Sequence, residues 1–159
     1  MKRILINHPS RGRPDLMSAA FYNFVGNASG ENPITYIISI DSDDKSLEAY
    51  KDAISKLVLP SFVKMETLIN LNYGACGAAN RAYTKYNLDN HDILFAMASD
   101  DFKLPRDWDT ALIVEFNKFG YDKIIKTYQP GGREDLITIQ VAGAKFWRDY
   151  GTFFYHEYF

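Results

Sequence analysis

Short apolar runs and stretches of helical period alternate along the first hundred residues. "RILIN" (3–7) is an apolar run that ends in "HPSRGRP", where two prolines and a glycine predict a buried strand entering a loop. Pro14 suits a first helical turn and Asp15 complements its dipole, and "LMSAAFYNFV" brings apolar residues round at helical spacing until "GNASGEN" breaks the pattern. "ITYIISI" (34–40) is rich in β-branched residues and reads as a second strand. In "SLEAYKDAISKLVL", Leu47, Tyr50, Ile54 and Leu57 form one stripe, predicting a helix that Pro60 stops. "FVKMETLIN" alternates as a strand does, and "YGACGAANRAYTKY" predicts a helix whose small residues allow a close approach to a sheet. "DILFAMAS" (92–99) is the most continuous apolar strand, the pattern expected where both faces are covered.

The pattern changes after residue 100. A helix led by Pro105 runs to Phe119, followed by a strand "KIIKTY", a turn "QPGGRED", a strand "LITIQVA", a short aromatic helix near "KFWRDYG" and the terminal "FFYHEYF". Strands separated by helices predict a parallel sheet, and strands separated by turns predict antiparallel pairing around "PGG". The expected fold is therefore α/β: a three-layer α/β/α sandwich whose central sheet is mostly parallel and becomes mixed in the C-terminal third. With 159 residues and no repeat or long linker, the sequence predicts a single domain over 1–159.

Composition narrows the function classes. A hydrophobic share of 47% with 24% charged residues is that of a packed globular chain. The formal net charge of −2 supplies no global field for a nucleic-acid backbone, so duplex binding is not expected. Cys76 is the only cysteine, which excludes an intrachain disulfide and a cysteine-rich zinc site and fits a cytoplasmic location. No apolar run reaches the length of a membrane span.

Three strand ends carry unusual polar sets: "SRGRP" after the first, "DSDD" after the second and "SDD" after the fourth. In open α/β sheets, ligands bind beyond the carboxyl ends of the strands. Arg11 and Arg13 suit phosphates or carboxylates through forked hydrogen bonds, and clustered aspartates suit a hard divalent cation. Asp100 and Asp101 lie side by side at the exit of an apolar strand, where repulsion and desolvation must be offset by a cation or by donors. Together these groups describe a metal-chelated phosphate ester. Plainer accounts stand beside each: solvated arginines in a surface loop, and an acidic N-cap at "DSDD". His8 and His156 lack a second ligand at metal spacing and read as packing or surface residues, and Cys76 reads as a small buried hydrophobe.

In order and spacing, "PSRGRP", "SIDSDD", "NYGACGAANRAY", "ASDDF.LP..W" and "VAGAKFWRDYGTFFYHEYF" resemble the GT-A glycosyltransferases, family-2-like, over nearly the whole chain. The resemblance implies a nucleotide-binding half of about 1–102 and an acceptor-side half of about 103–159. It implies that Pro9, Ser10, Arg11 and Arg13 lie along the nucleoside, that Asp41 or Asp43 contacts base or ribose, and that Asn80 faces the donor. Asp100 and Asp101 would be the catalytic pair and the ligands of Mn²⁺ or Mg²⁺, with Trp147 toward the acceptor. The implied reaction is metal-dependent transfer of a sugar from a nucleoside diphosphate sugar to a hydroxyl acceptor, with inversion. Two departures stand out. The first position of the DxD-type segment is Ala98, leaving one fewer carboxylate unless Asp43 substitutes. The chain also stops where similar proteins continue into an acidic segment, so a base is sought among Glu134, Asp149 and Glu157. A minimal enzyme, a truncated one, and a sugar-nucleotide or glycan binding module without turnover all remain open. A nucleotidyltransferase is more distant, because "HPSRGRP" has no lysine.

Overall fold

The computed structural model describes residues 1–71, 74–85, 90–127 and 140–152. Among these described residues, six strands form one sheet: β1 (Ile4–Ser10), β2 (Ile34–Asp41), β3 (Val63–Asn70), β4 (Ile93–Phe95), β5 (Ile124–Lys126) and β6 (Gln140–Gly143). The helices among the described residues are α1 (Pro14–Gly26), α2 (Leu47–Ser55), α3 (Gly74–Lys85), α4 (Trp108–Phe119) and α5 (Ala144–Tyr150). The strand order is β3-β2-β1-β4-β6-β5. β1 pairs in parallel with β2 and β4, and β2 with β3, whereas β6 runs antiparallel to both β4 and β5. The sheet is thus parallel on one side of the molecule and mixed on the other, as the pattern predicts. The "PGG" turn and the terminal "FFYHEYF" lie outside the described residues.

Strand alternation sorts the core into two layers. Ile4 and Ile6 of β1, Tyr36, Ile38 and Ile40 of β2, and Phe95 of β4 face α1, α2 and α4, meeting Met17, Phe21, Phe24, Tyr50, Trp108 and Phe116. Leu5, Ile37 and Leu94 point the other way, to Ala82 and Tyr83 of α3 and to Ala144 and Trp147 of α5. Phe24 is the hub of the larger layer, with edge-on contacts to Tyr36, Phe95 and Trp108 at 5.5–6.0 Å between ring centroids. Each such pair contributes about 0.5–1.5 kcal/mol beyond area burial. The indole N–H of Trp108 donates to the Phe24 carbonyl at 2.9 Å, so the ring is buried without losing its hydrogen bond.

Several boundaries differ from the sequence expectation. β1 runs on to Ser10, so "HPS" belongs to a strand and not to a loop. Pro9 is tolerated because β4 pairs with β1 only from Ile4 to Ile6, so the strand is open on that side at position 9 while its register with β2 continues beside Ser39. β4 spans only three residues, and the rest of "FAMAS" is held by single bonds, Ala96 N–H to Gln140 and Ala98 N–H to Asn7. α4 begins at Trp108 because Asp107 adopts a left-handed conformation (φ 57°) that a helix cannot continue through. α2 ends at Ser55, short of Pro60.

Candidate functional site

β1, β2 and the segment after β4 end on the same edge of the sheet, beside the point where the strand order reverses at β1. A cleft of about 290 Å³ opens there, lined by Pro9, Ser10, Arg11 and Arg13 from β1 and its loop, Ser39 and Asp41 from β2, Gly74 and Ala78 from α3, and Met97, Ala98 and Ser99 after β4. Its volume is at the lower end of the roughly 300–1,000 Å³ of small-molecule sites.

The loop that follows β1 is fixed at every residue. Arg11 donates through Nη1 to Asp41 at 2.8 Å and to Asp43 at 2.6 Å, and through Nη2 to Asp43 at 3.2 Å. Its hydrogen bonds to Asp43 and Asp41 push the guanidinium's pKa further up. Gly12 adopts φ +71°, a conformation that glycine reaches without strain, and its N–H donates to Asp44 at 2.7 Å. The other Asp44 oxygen accepts the Ser46 N–H at 2.8 Å. Arg13 donates its backbone N–H to the Tyr50 hydroxyl at 2.9 Å. "DSDD" therefore divides its work: Asp41 and Asp43 hold Arg11, and Asp44 ties the two loops together.

Asp100 and Asp101 occupy the tight turn closed by Phe102 N–H on the Ser99 carbonyl. In this turn Asp100 points in while Asp101 is exposed. The Asp100 side chain is 0% exposed. Its Oδ1 accepts from His8 Nε2 at 2.8 Å, and its Oδ2 accepts from Ser10 Oγ at 3.0 Å and pairs with Arg13 Nη2 at 2.9 Å. Behind these lie two buried tyrosines: Tyr36 Oη sits 2.7 Å from His8 Nδ1, and Tyr50 Oη 2.7 Å from Ser10 Oγ. Burial, with the nearby Asp100, pushes the Tyr36 hydroxyl well above its ordinary pKa. The Asp100 carboxylate only accepts, so His8 donates to it from Nε2, and in the neutral ring Nδ1 then accepts from the Tyr36 hydroxyl.

The sequence-derived candidates fall into three groups. Pro9, Ser10, Arg11, Arg13 and Asp41 line the cleft, with Asp43 behind Arg11 and Asp100 behind Arg13. Asp101 is exposed beside the cleft, and Asn80 is half-buried on α3 outside the lining. Trp147, expected at the acceptor side, is instead 7% exposed and packs in the smaller core layer with its ring 5.3 Å from Tyr83. A short helix covering the sheet must bury its largest apolar residue, and that requirement decides its place. Of the late acids, Asp149 pairs with Lys145 on α5 at 2.6 Å, while Glu134 and Glu157 lie outside the described residues. Sequence reading missed His8, Tyr36, Asp44 and Tyr50. A polar signal was present for His8: it falls on the Ile4–Ile6 face of β1, where a buried strand carries apolar residues.

The cation implied by the resemblance meets a donor set with few open lone pairs. Asp100 has both oxygens engaged by protein donors, Asp41 and Asp43 face Arg11, and Ala98 offers none. Among the described residues, no group of three or more His, Cys, Asp or Glu side chains is placed to hold a metal ion. These residues do not fit a resident divalent cation.

No protein-family model and no curated protein matches the chain. Solved structures do. The chain superposes on Staphylococcus aureus TarS 1-349 with a TM-score of 0.56 at 11% identity, covering 94% of this chain and 49% of that one. On the same protein in complex with UDP-GlcNAc the TM-score is 0.59 at 12% identity, with 94% and 47% covered. On TarS itself it is 0.57 at 12% identity, with 94% and 29% covered. The chain spans about half or less of the length of these structures. No helix of the described residues is long and apolar enough to cross a membrane. The mixed six-stranded sheet with helices on both faces is thus an α/β sandwich of the kind these structures share.

Proposed function

We propose that the cleft binds a nucleoside diphosphate sugar and that the chain is the donor-binding part of a family-2-like GT-A glycosyltransferase. The observation that carries this reading is the arrival of Arg11, Arg13 and Asp41 from two neighbouring strand ends at one cleft, beside the reversal of strand order. A fold shared with a protein solved with UDP-GlcNAc supports it.

The cleft is divided in a way that suits such a donor. Pro9, Ala78, Met97 and Ala98 give apolar walls for a flat base, and Ser39 and Asp41 give polar groups at the β2 end for base or ribose. Arg13, whose guanidinium stands half exposed on the wall, is the group for the diphosphate, since forked N–H donors match phosphate oxygens. At about 290 Å³ the space suits the nucleoside portion, leaving the sugar and its hydroxyl acceptor toward the rim. Fixed donors at the leaving diphosphate stabilise the charge that develops as the glycosidic bond breaks. Inversion would require a base on the acceptor side.

Calorimetry with UDP-, GDP- and TDP-sugars tests the reading: one of them binds saturably, and failure of all three, with and without Mn²⁺, refutes it. Ala98, in place of an acid, favours a second reading, a sugar-nucleotide binding module without turnover. Release of free nucleoside diphosphate on incubation with acceptor libraries separates the two.

A further inference from the structure

The two arginines of the cleft are not equivalent. Arg11 has both terminal nitrogens committed to Asp41 and Asp43. Arg13 gives one terminal nitrogen to Asp100, and its side chain has no other hydrogen-bond or ion-pair partner among the described residues. It is 52% exposed and lines the cleft, so donors of its five-donor fork beyond that one remain for a ligand.

Asp100 is complete without an ion. His8, Ser10 and Arg13 occupy its two oxygens in a fully buried setting, and each donor behind it is satisfied in turn: Tyr36 on His8, Tyr50 on Ser10, and the Arg13 N–H on Tyr50. A cation ligand presents open lone pairs to the cleft, whereas this carboxylate presents an arginine.

We infer that phosphate groups in this cleft are held by Arg13, with Asp100 as the residue that positions it, and that binding needs no divalent cation. The inference rests on the reading that the cleft takes a nucleoside diphosphate. A guanidinium locked at one end by a buried carboxylate has little conformational freedom left to lose, so its remaining donors are pre-organised for a bidentate phosphate contact.

The test is calorimetry on the 159-residue chain with UDP, GDP and TDP, each compared with its own nucleoside, in EDTA and in Mn²⁺. The diphosphate that binds is expected to do so in EDTA with an affinity within about threefold of that in Mn²⁺. R13Q should weaken it tenfold or more and leave the nucleoside unchanged, with R13K recovering part of the loss. Y36F removes only the hydroxyl that orients His8, so it tests the positioning chain without altering the cleft wall. It should lower the ratio of diphosphate to nucleoside affinity about two- to fivefold, whereas D101N should not change that ratio. Diphosphate binding that appears only with Mn²⁺ and is lost in D101N overturns the inference and leaves the nucleotide reading standing. Equal losses of diphosphate and nucleoside affinity in R13Q also overturn it. Absence of diphosphate binding in either condition overturns both.

Discussion

Replacing Asp100 by asparagine separates an anchor from a waiting metal ligand by the sign of its effect on stability. If the carboxylate stood beside Asp101 in want of a cation, removing its charge would relieve repulsion and stabilise the metal-free protein. In the structure it instead accepts from His8 and Ser10 and pairs with Arg13 in a fully buried position. Asparagine keeps one accepting oxygen and turns an N–H₂ toward groups that are themselves donors. Hydrogen bonds to a charged group contribute about 1.5–3 kcal/mol each, and a buried donor left unmatched costs about 1–3 kcal/mol. The Arg13 share is small because that side chain is half exposed. The expected loss is about 3 kcal/mol, at the lower end of what breaking a buried ion pair costs. For a chain of this size that corresponds to a fall in Tm of roughly 6–12 °C. Urea or thermal unfolding in EDTA measures it, with Asp101→Asn as the exposed control, expected within about 0.5 kcal/mol of the parent. A D100N protein as stable as the parent, or more so, would refute the anchor.

Two further substitutions probe the fold away from the cleft. A Cβ on Gly143 would stand 2.0 Å from the Tyr121 carbonyl oxygen, a backbone group that cannot swing aside, so Gly143→Ala should cost about 3 kcal/mol or more in urea unfolding. A loss under about 1 kcal/mol would show that the backbones there are not in close contact. Asp109 accepts from the Ser29 N–H and hydroxyl and from Asn32. Burial would raise its pKa, but these bonds outweigh burial and hold it below the ordinary 3.8. Its contribution is therefore present above that value and lost as pH falls through the lower folded-state pKa, and the acid limb of an unfolding-versus-pH curve should be shallower in Asp109→Asn. Parallel curves for parent and variant would contradict the assignment.

What could be read from the sequence follows from what each pattern physically constrains. β1 and β2 are legible because apolar runs buried between helices leave little choice of conformation, and β3, at the sheet edge, is legible from its alternation. β4 looked longer than it is because an apolar run records burial, and Ala96 and Ala98 are buried while making only single backbone bonds. The sequence pattern starts α4 three residues early, at Pro105, because nothing in "PRDW" announces the left-handed turn at Asp107. Arg11, Arg13, Asp41 and Asp43 were found as a cluster because charged residues gather at strand ends for a reason. Their pairing was not legible, since whether an aspartate meets an arginine or a cation depends on which way a two-residue turn points. His8, Tyr36 and Tyr50 were passed over for the complementary reason: a polar tip inside an apolar stripe looks like packing until its partner, 28 to 92 residues away, is seen.

The strand order also bears on synthesis. β1 is central in the sheet, yet its neighbour β4 follows it by about 90 residues. At ribosomal rates of about 5–20 residues per second, one edge of this apolar ribbon waits several seconds or longer for its partner, exposed to other nascent chains. A growing polypeptide built this way is a natural client for chaperones that bind emerging segments, and its yield on overexpression should improve when translation is slowed or such helpers are supplied.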